Sequence, residues 1–366
     1  MLSRPMEAIS PSLPAPRGAL SEALFHRLLG EPGPLGPLPR PDDDPLVGDD
    51  MHLALYVAYE LHYRGVAGVD EAWEWQPDLL RAVADLEDRY EAALRADVGA
   101  VPATAPSAVA TTLRGLLDAA GGRSLSAHIE EQGTLEHVRE FAAHRSPYQR
   151  KEADPHTWAI PRLSGRAKAA IVEIQSDEYG NGRPGEAHAD LFADTMVALG
   201  LDPTYGVYVD QLPGVTLATV NLVTFLGLHR RLRGALVGHL AAFEMTSIGP
   251  MARYARTLRR LGRGGHEFYD VHVEADAHHE VVAAHDLAQG LALDEPALVD
   301  DILFGALAVT NAERRLADHL LASWADGRTS LRTAPPGLRL STCWRAERAP
   351  PAGAPSCRSS RPAATR

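Results

Sequence analysis

His272-Val-Glu-Ala-Asp276-Ala-His-His279 places three metal-competent side chains at i, i+4 and i+7. At about 100° per residue these positions fall on one stripe of an α-helix. Two imidazoles and a carboxylate, with no thiolate, suit a non-haem iron site. Glu274 and His278 point elsewhere on the helix. Val271, Val281 and Val282 lie on its other side and are expected to pack. The competing interpretation is a solvated polar face with scattered histidines.

Two upstream stretches complement the stripe. Ile171 to His188 begins as a helix carrying Glu178. Gly180, Gly182, Pro184 and Gly185 then break it, and a new helix is expected to open near His188. On an unbroken helix Glu178 and His188 would sit about 80° apart, whereas a break lets both aim at one centre. Asp177 and Glu173 are rival carboxylates on this helix. Further upstream, Lys151-Glu152-Ala-Asp154-Pro155-His156 offers Glu152, with His156, Asp154 and Glu140 ranked behind it. Asp154, before Pro155, reads better as a helix N-cap. The set Glu152, Glu178, His188, His272, Asp276 and His279 would hold two irons. Glu244, in an apolar helix, needs a partner. It either supports the site or forms a salt bridge within the bundle.

Outside these stretches the pattern is helical throughout. Of the 366 residues, 45% are hydrophobic and only 6% aromatic. That is enough for a substantial core and leans towards helix. Apolar positions at helical spacing predict helices over 77–96, 134–154, 156–178, 186–200, 214–230, 232–261, 264–289 and 295–324. Glu295-Pro296 after Asp294 reads as a helix start. The most strand-like piece, Tyr205 to Val209, is short. The fold class expected is an all-α bundle. Residues 1–48 hold ten prolines and are expected to form an arm, with a short helix around 19–29. Residues 49–330 form the main domain. Residues 331–366, rich in Arg and Pro, are expected to be a disordered tail.

Composition excludes several chemistries. Both cysteines, Cys343 and Cys357, lie in the tail. A Cys-ligated zinc or iron–sulfur site, a thiolate-bound haem and a cysteine nucleophile in the body are therefore ruled out. A net charge of −12 argues against general nucleic-acid binding. No apolar run reaches the roughly 18 residues of a membrane helix, and no secretory signal opens the chain. The expected location is cytoplasmic. No flavin or nicotinamide fingerprint is present, so electrons would come from an outside donor.

The order carboxylate, Glu-x9-His, His-x3-Asp-x2-His on a helical chain resembles the haem-oxygenase-like di-iron oxidases and oxygenases, also called iron-containing redox enzymes. In that pattern a Glu stands 26 residues before the Glu of Glu-x9-His, as Glu152 stands before Glu178. Glu-Ala-Asp-Pro-His-Thr-Trp at 152–158, Asp-Glu-Tyr-Gly at 177–180 and His-Val-Glu-Ala-Asp at 272–276 also look like this family. The resemblance covers roughly residues 50–330 and leaves out the Pro-rich arm and the Arg-rich tail. It implies a haem-oxygenase-like bundle holding two Fe2+ per chain, with O2 as co-substrate and a small organic molecule as substrate. N-oxygenation, desaturation and C–C cleavage stay open. Homodimerisation is compatible with such a bundle. The alternatives are a haem protein of the same fold, using His52 or His62, a zinc hydrolase, and a non-catalytic helical metal-binding or scaffold protein.

Overall fold

The computed structural model describes residues 10–332; the expected tail from 333 onward and both cysteines lie outside the described residues. The helices are α1 Ala19–Leu28, α2 Asp49–Glu60, α3 Pro77–Val98, α4 Val109–Ala119, α5 Leu125–Gln132, α6 Leu135–Gln149, α7 Asp154–Thr157 and α8 Gly165–Glu178. They continue with α9 His188–Ala198, α10 Gly214–Leu228, α11 Arg233–Thr246, α12 Ile248–Arg260, α13 Glu267–Val281, α14 Gly290–Asp294 and α15 Val299–Ala325. A π-helical stretch, Val282–Gln289, joins α13 to α14. Among the described residues there is no strand, so the chain is all-α. Tyr205 to Val209 forms turns leading into a 3-10 segment.

The centre of the bundle is built by α10, α11 and α15. Helix α10 is apolar on every side and buried along nearly its whole length, as expected of a helix enclosed by others. Helices α11 and α15 touch backbone to backbone at two glycines. A Cβ on Gly238 would stand 1.8 Å from the Ile302 carbonyl oxygen, and one on Gly305 would stand 1.9 Å from that of Ala235. Only glycine permits that approach.

Local chemistry sets the helix breaks. The single helix expected over 232–261 is two, because Pro250 has no N–H for the Thr246 carbonyl and its ring would crowd it. The helix expected over 156–178 is likewise divided into α7, a 3-10 turn at Ile160–Arg162 and α8. Helix α6 survives an internal proline: Ser146 Oγ donates to the Ala143 carbonyl at 2.8 Å, the oxygen that Pro147 cannot serve. The expected N-terminal helix is α1. Its Leu20, Leu24, Phe25 and Leu28 are buried, and Asp50 of α2 accepts from the backbone N–H of Leu20 and Ser21. Asp154 is not an N-cap. It is the first residue of α7, and its carboxylate accepts from Tyr179 Oη at 2.8 Å.

Candidate metal centre

Helix α13 is oriented opposite to ordinary amphipathic logic. Its buried face is Phe268, Tyr269, His272, Asp276 and His279. Val281, expected on a packing side, is 56% exposed. A helix that turns its titratable stripe inwards needs something there to compensate burial.

The partners come from α8, α9, α11 and the turn after α6. Glu178 ends α8 and His188 begins α9. Between them Gly180 takes φ +62°, and a Cβ there would lie 2.4 Å from the Glu186 carbonyl carbon. The break therefore folds back tightly enough to bring His188 Nδ1 to 2.9 Å from Glu178 Oε2. The His188 and His272 rings lie 4.2 Å apart between centroids. His272 Nε2 is 3.7 Å from Glu152 Oε2. Ligand atoms of Glu152, Glu178, His188 and His272 all fall within 4.8 Å of one another, as do those of Glu178, Glu244 and His279. Glu178 belongs to both groups. Asp276 flanks the second, its Oδ1 3.9 Å from His279 Nδ1.

Surrounding groups fix the orientation of these side chains. His272 Nδ1 donates to the Phe268 carbonyl at 2.7 Å, which leaves Nε2 facing the cluster. His279 Nε2 donates to Asp177 Oδ2 at 2.9 Å, turning Nδ1 inwards. Ser247 Oγ donates to Asp276 Oδ2. The Gln149 amide, with its nitrogen towards Glu152, donates to both carboxylate oxygens at 2.5 and 3.1 Å.

The donor set fits a bound cation. Glu178 Oε2 and His188 Nδ1 face each other at 2.9 Å, and His279 Nδ1 faces Glu244 Oε2 at 3.5 Å, but none of the three buried atoms has a well-aligned hydrogen bond. Buried polar atoms normally make well-aligned bonds; here three ligand-competent atoms converge on one region without them. The electrostatics agree. Burial pulls His272 down, but Glu152, Glu178 and Asp276 outweigh it and hold the imidazole up to about 10. Burial also opposes His279, which Glu244 and Asp177 hold up to about 9. Burial lifts Glu244 to about 7. Glu178 goes the other way: its burial is outweighed by His188, His272 and His279, and it falls to about 2. The cluster has excess negative charge that protons partly meet and a divalent cation would meet better.

The rival residues are used elsewhere. Glu140 accepts from Trp324 Nε1 and from Ser330. Glu173 pairs with His278 on the surface at 2.7 Å. His52 is buried with Nε2 on the Pro45 carbonyl and Nδ1 facing Asn221, and His62 faces Glu74. His156 lies at the edge of the cluster, its Nε2 3.1 Å from His239 Nδ1. His239, Gln149 and Ser247 escaped the sequence analysis. Gln149 stands three residues before Glu152, a spacing that could have drawn attention to it. Ser247 meets Asp276 across 29 residues, with no local signal.

Residues 139–314 match the model of the family described as iron-containing redox enzyme. This stretch belongs to that family. It contains Glu152, Glu178, His188, Glu244, His272, Asp276 and His279. No curated protein matches the chain. Among the described residues no helix is long and apolar enough to cross a membrane.

Proposed function

We propose that the chain is a non-haem di-iron enzyme that uses O2 to oxidise or oxygenate a small organic substrate. The observation that carries this is Glu178, shared by two buried ligand groups, as a carboxylate bridging two ions would be. One group offers two imidazoles with Glu152 and Glu178. The other offers His279 with Glu178 and Glu244, and Asp276 at its edge. Glu244, expected either to support the site or to form a salt bridge, joins the ligand set in this proposal. Four carboxylates against two Fe2+ leave no net charge.

Iron held by these residues would supply the electrons that reduce O2, chemistry no side chain here can perform. The protein's part is geometry and dryness. The Phe268 carbonyl and Asp177 hold two imidazoles in fixed tautomers, and Gln149 and Ser247 hold two carboxylates. His188, His272, Asp276 and Glu244 are each buried, which keeps bulk water from the centre. His272 Nε2 and His279 Nδ1 would give up their protons on binding metal. An outside donor supplies further electrons. Anaerobic loading with Fe2+ followed by an O2 pulse tests the proposal. Two irons per chain and stoichiometric O2 uptake are expected. Iron binding without O2 uptake, in the presence of a broad substrate panel, would point to storage or scaffolding instead.

A further inference from the structure

A second cavity, of about 400 Å3, lies beside the metal site. Phe243, Ser247 and Met251 line both it and the small pocket around Glu152, Glu178 and Asp276. Its size falls within the range of about 300–1,000 Å3 usual for small-molecule sites. Five aromatic rings face it: Phe141, Phe192, Phe243, Tyr254 and Tyr269. Phe141 and Tyr254 lie 4.6 Å apart between centroids, and Tyr254 and Tyr269 lie 5.5 Å apart. Walls of this kind favour a flat ring, through offset and edge-to-face contacts.

The charges in the wall restrict the ligand further. Arg145 is the buried cation of the cavity, and its Nη1 already donates to both Glu313 oxygens, at 2.8 and 2.9 Å. The pair is neutral as it stands. A ligand carrying a lone charge would leave that charge desolvated without a partner. Arg123 and Arg314 also line the cavity, but both are exposed, where water screens them. The iron site as proposed adds no net charge to draw an ion in.

We propose that this cavity binds an uncharged aromatic molecule of one or two rings, held edge-on to the Phe243–Ser247–Met251 wall. Calling that ligand the substrate rests on the proposed di-iron function; its binding does not.

A matched series separates ring from charge: indole, indole-3-acetate and tryptamine, titrated calorimetrically into the metal-free full chain. Indole is expected to bind at least about tenfold more tightly than either ion, the order set by the cost of burying an unpaired charge. Ala317→Trp, filling the cavity from α15, should weaken indole at least about tenfold while iron loading stays at the wild-type level. Thr310→Phe fills the same space if the first variant melts early. No indole binding, tighter binding of either ion, or indole affinity untouched by both fillings would overturn the proposal. Indole binding in a chain that takes up no iron would overturn the metal reading and leave this one standing.

Discussion

Four ligand-competent side chains of the cluster, His272, His279, Asp276 and Glu152, depend on a neighbour for their aim. His279→Ala and Asp276→Ala should each lose iron and O2 uptake while circular dichroism stays helical. Glu274→Ala and His278→Ala, neighbours on the exposed side of α13, should retain both. Iron per chain, measured after anaerobic loading, decides between them; normal loading in the first pair would remove those residues from the site. Ser247→Ala and Gln149→Leu remove only the groups that orient Asp276 and Glu152. Losing a partner of this type typically costs about 10–100-fold in metal affinity. A competition titration should show that loss with the melting temperature little changed.

At the scale of elements, the site is an agreement among helix ends. Glu178 and His188 are last and first residues of consecutive helices, and Glu152 sits in the turn between α6 and α7. Helix α13 alone contributes from its middle. The frame that holds these ends in register is the α11–α15 contact, since α11 also carries Glu244. Gly238→Ala would force a methyl group onto the Ile302 carbonyl. Separating the two helices should cost about 1–3 kcal/mol and lower the melting temperature by several degrees. An unchanged melting curve would mean that the contact relaxes without cost. Apolar periodicity located most of the long helices, but it missed α4 and α5 and read α7 with α8, and α11 with α12, as single helices. The break at Thr246–Ile248 was not legible, because Gly249-Pro250 lies inside an otherwise continuous helical pattern and only the backbone geometry shows where the chain turns.

The molecule as a whole buries histidines that have no part in the cluster. Burial lowers His52 from 6.5 to about 4, and lowers His144 from 6.5 to about 3. His144 is held between Thr216 and Ser330. Both rings stay neutral when folded, while the unfolded chain takes up their protons below pH 6.5. Their contribution is therefore intact above pH 6.5 and is lost as pH falls towards 4 and 3. The two together make the slope up to about 2.7 kcal/mol per pH unit. Denaturant midpoints should fall between pH 6 and pH 5, below the range in which the raised His272 and His279 act, and His144→Gln should flatten the fall. Taken alone, the sequence determined the all-α class, because helical periodicity is local. It also determined the metal-competent residue types, because a body without cysteine leaves only imidazole and carboxylate. It brought Glu152, Glu178, His188 and the α13 stripe into view through spacing and family resemblance. The tertiary structure decided that the polar stripe of α13 faces inwards, that Glu244 meets His279, and that Ser247 and Gln149 support the carboxylates. It also decided that an aromatic cavity adjoins them. These are contacts between residues far apart in the chain, and packing, which no local pattern encodes, sets which faces meet.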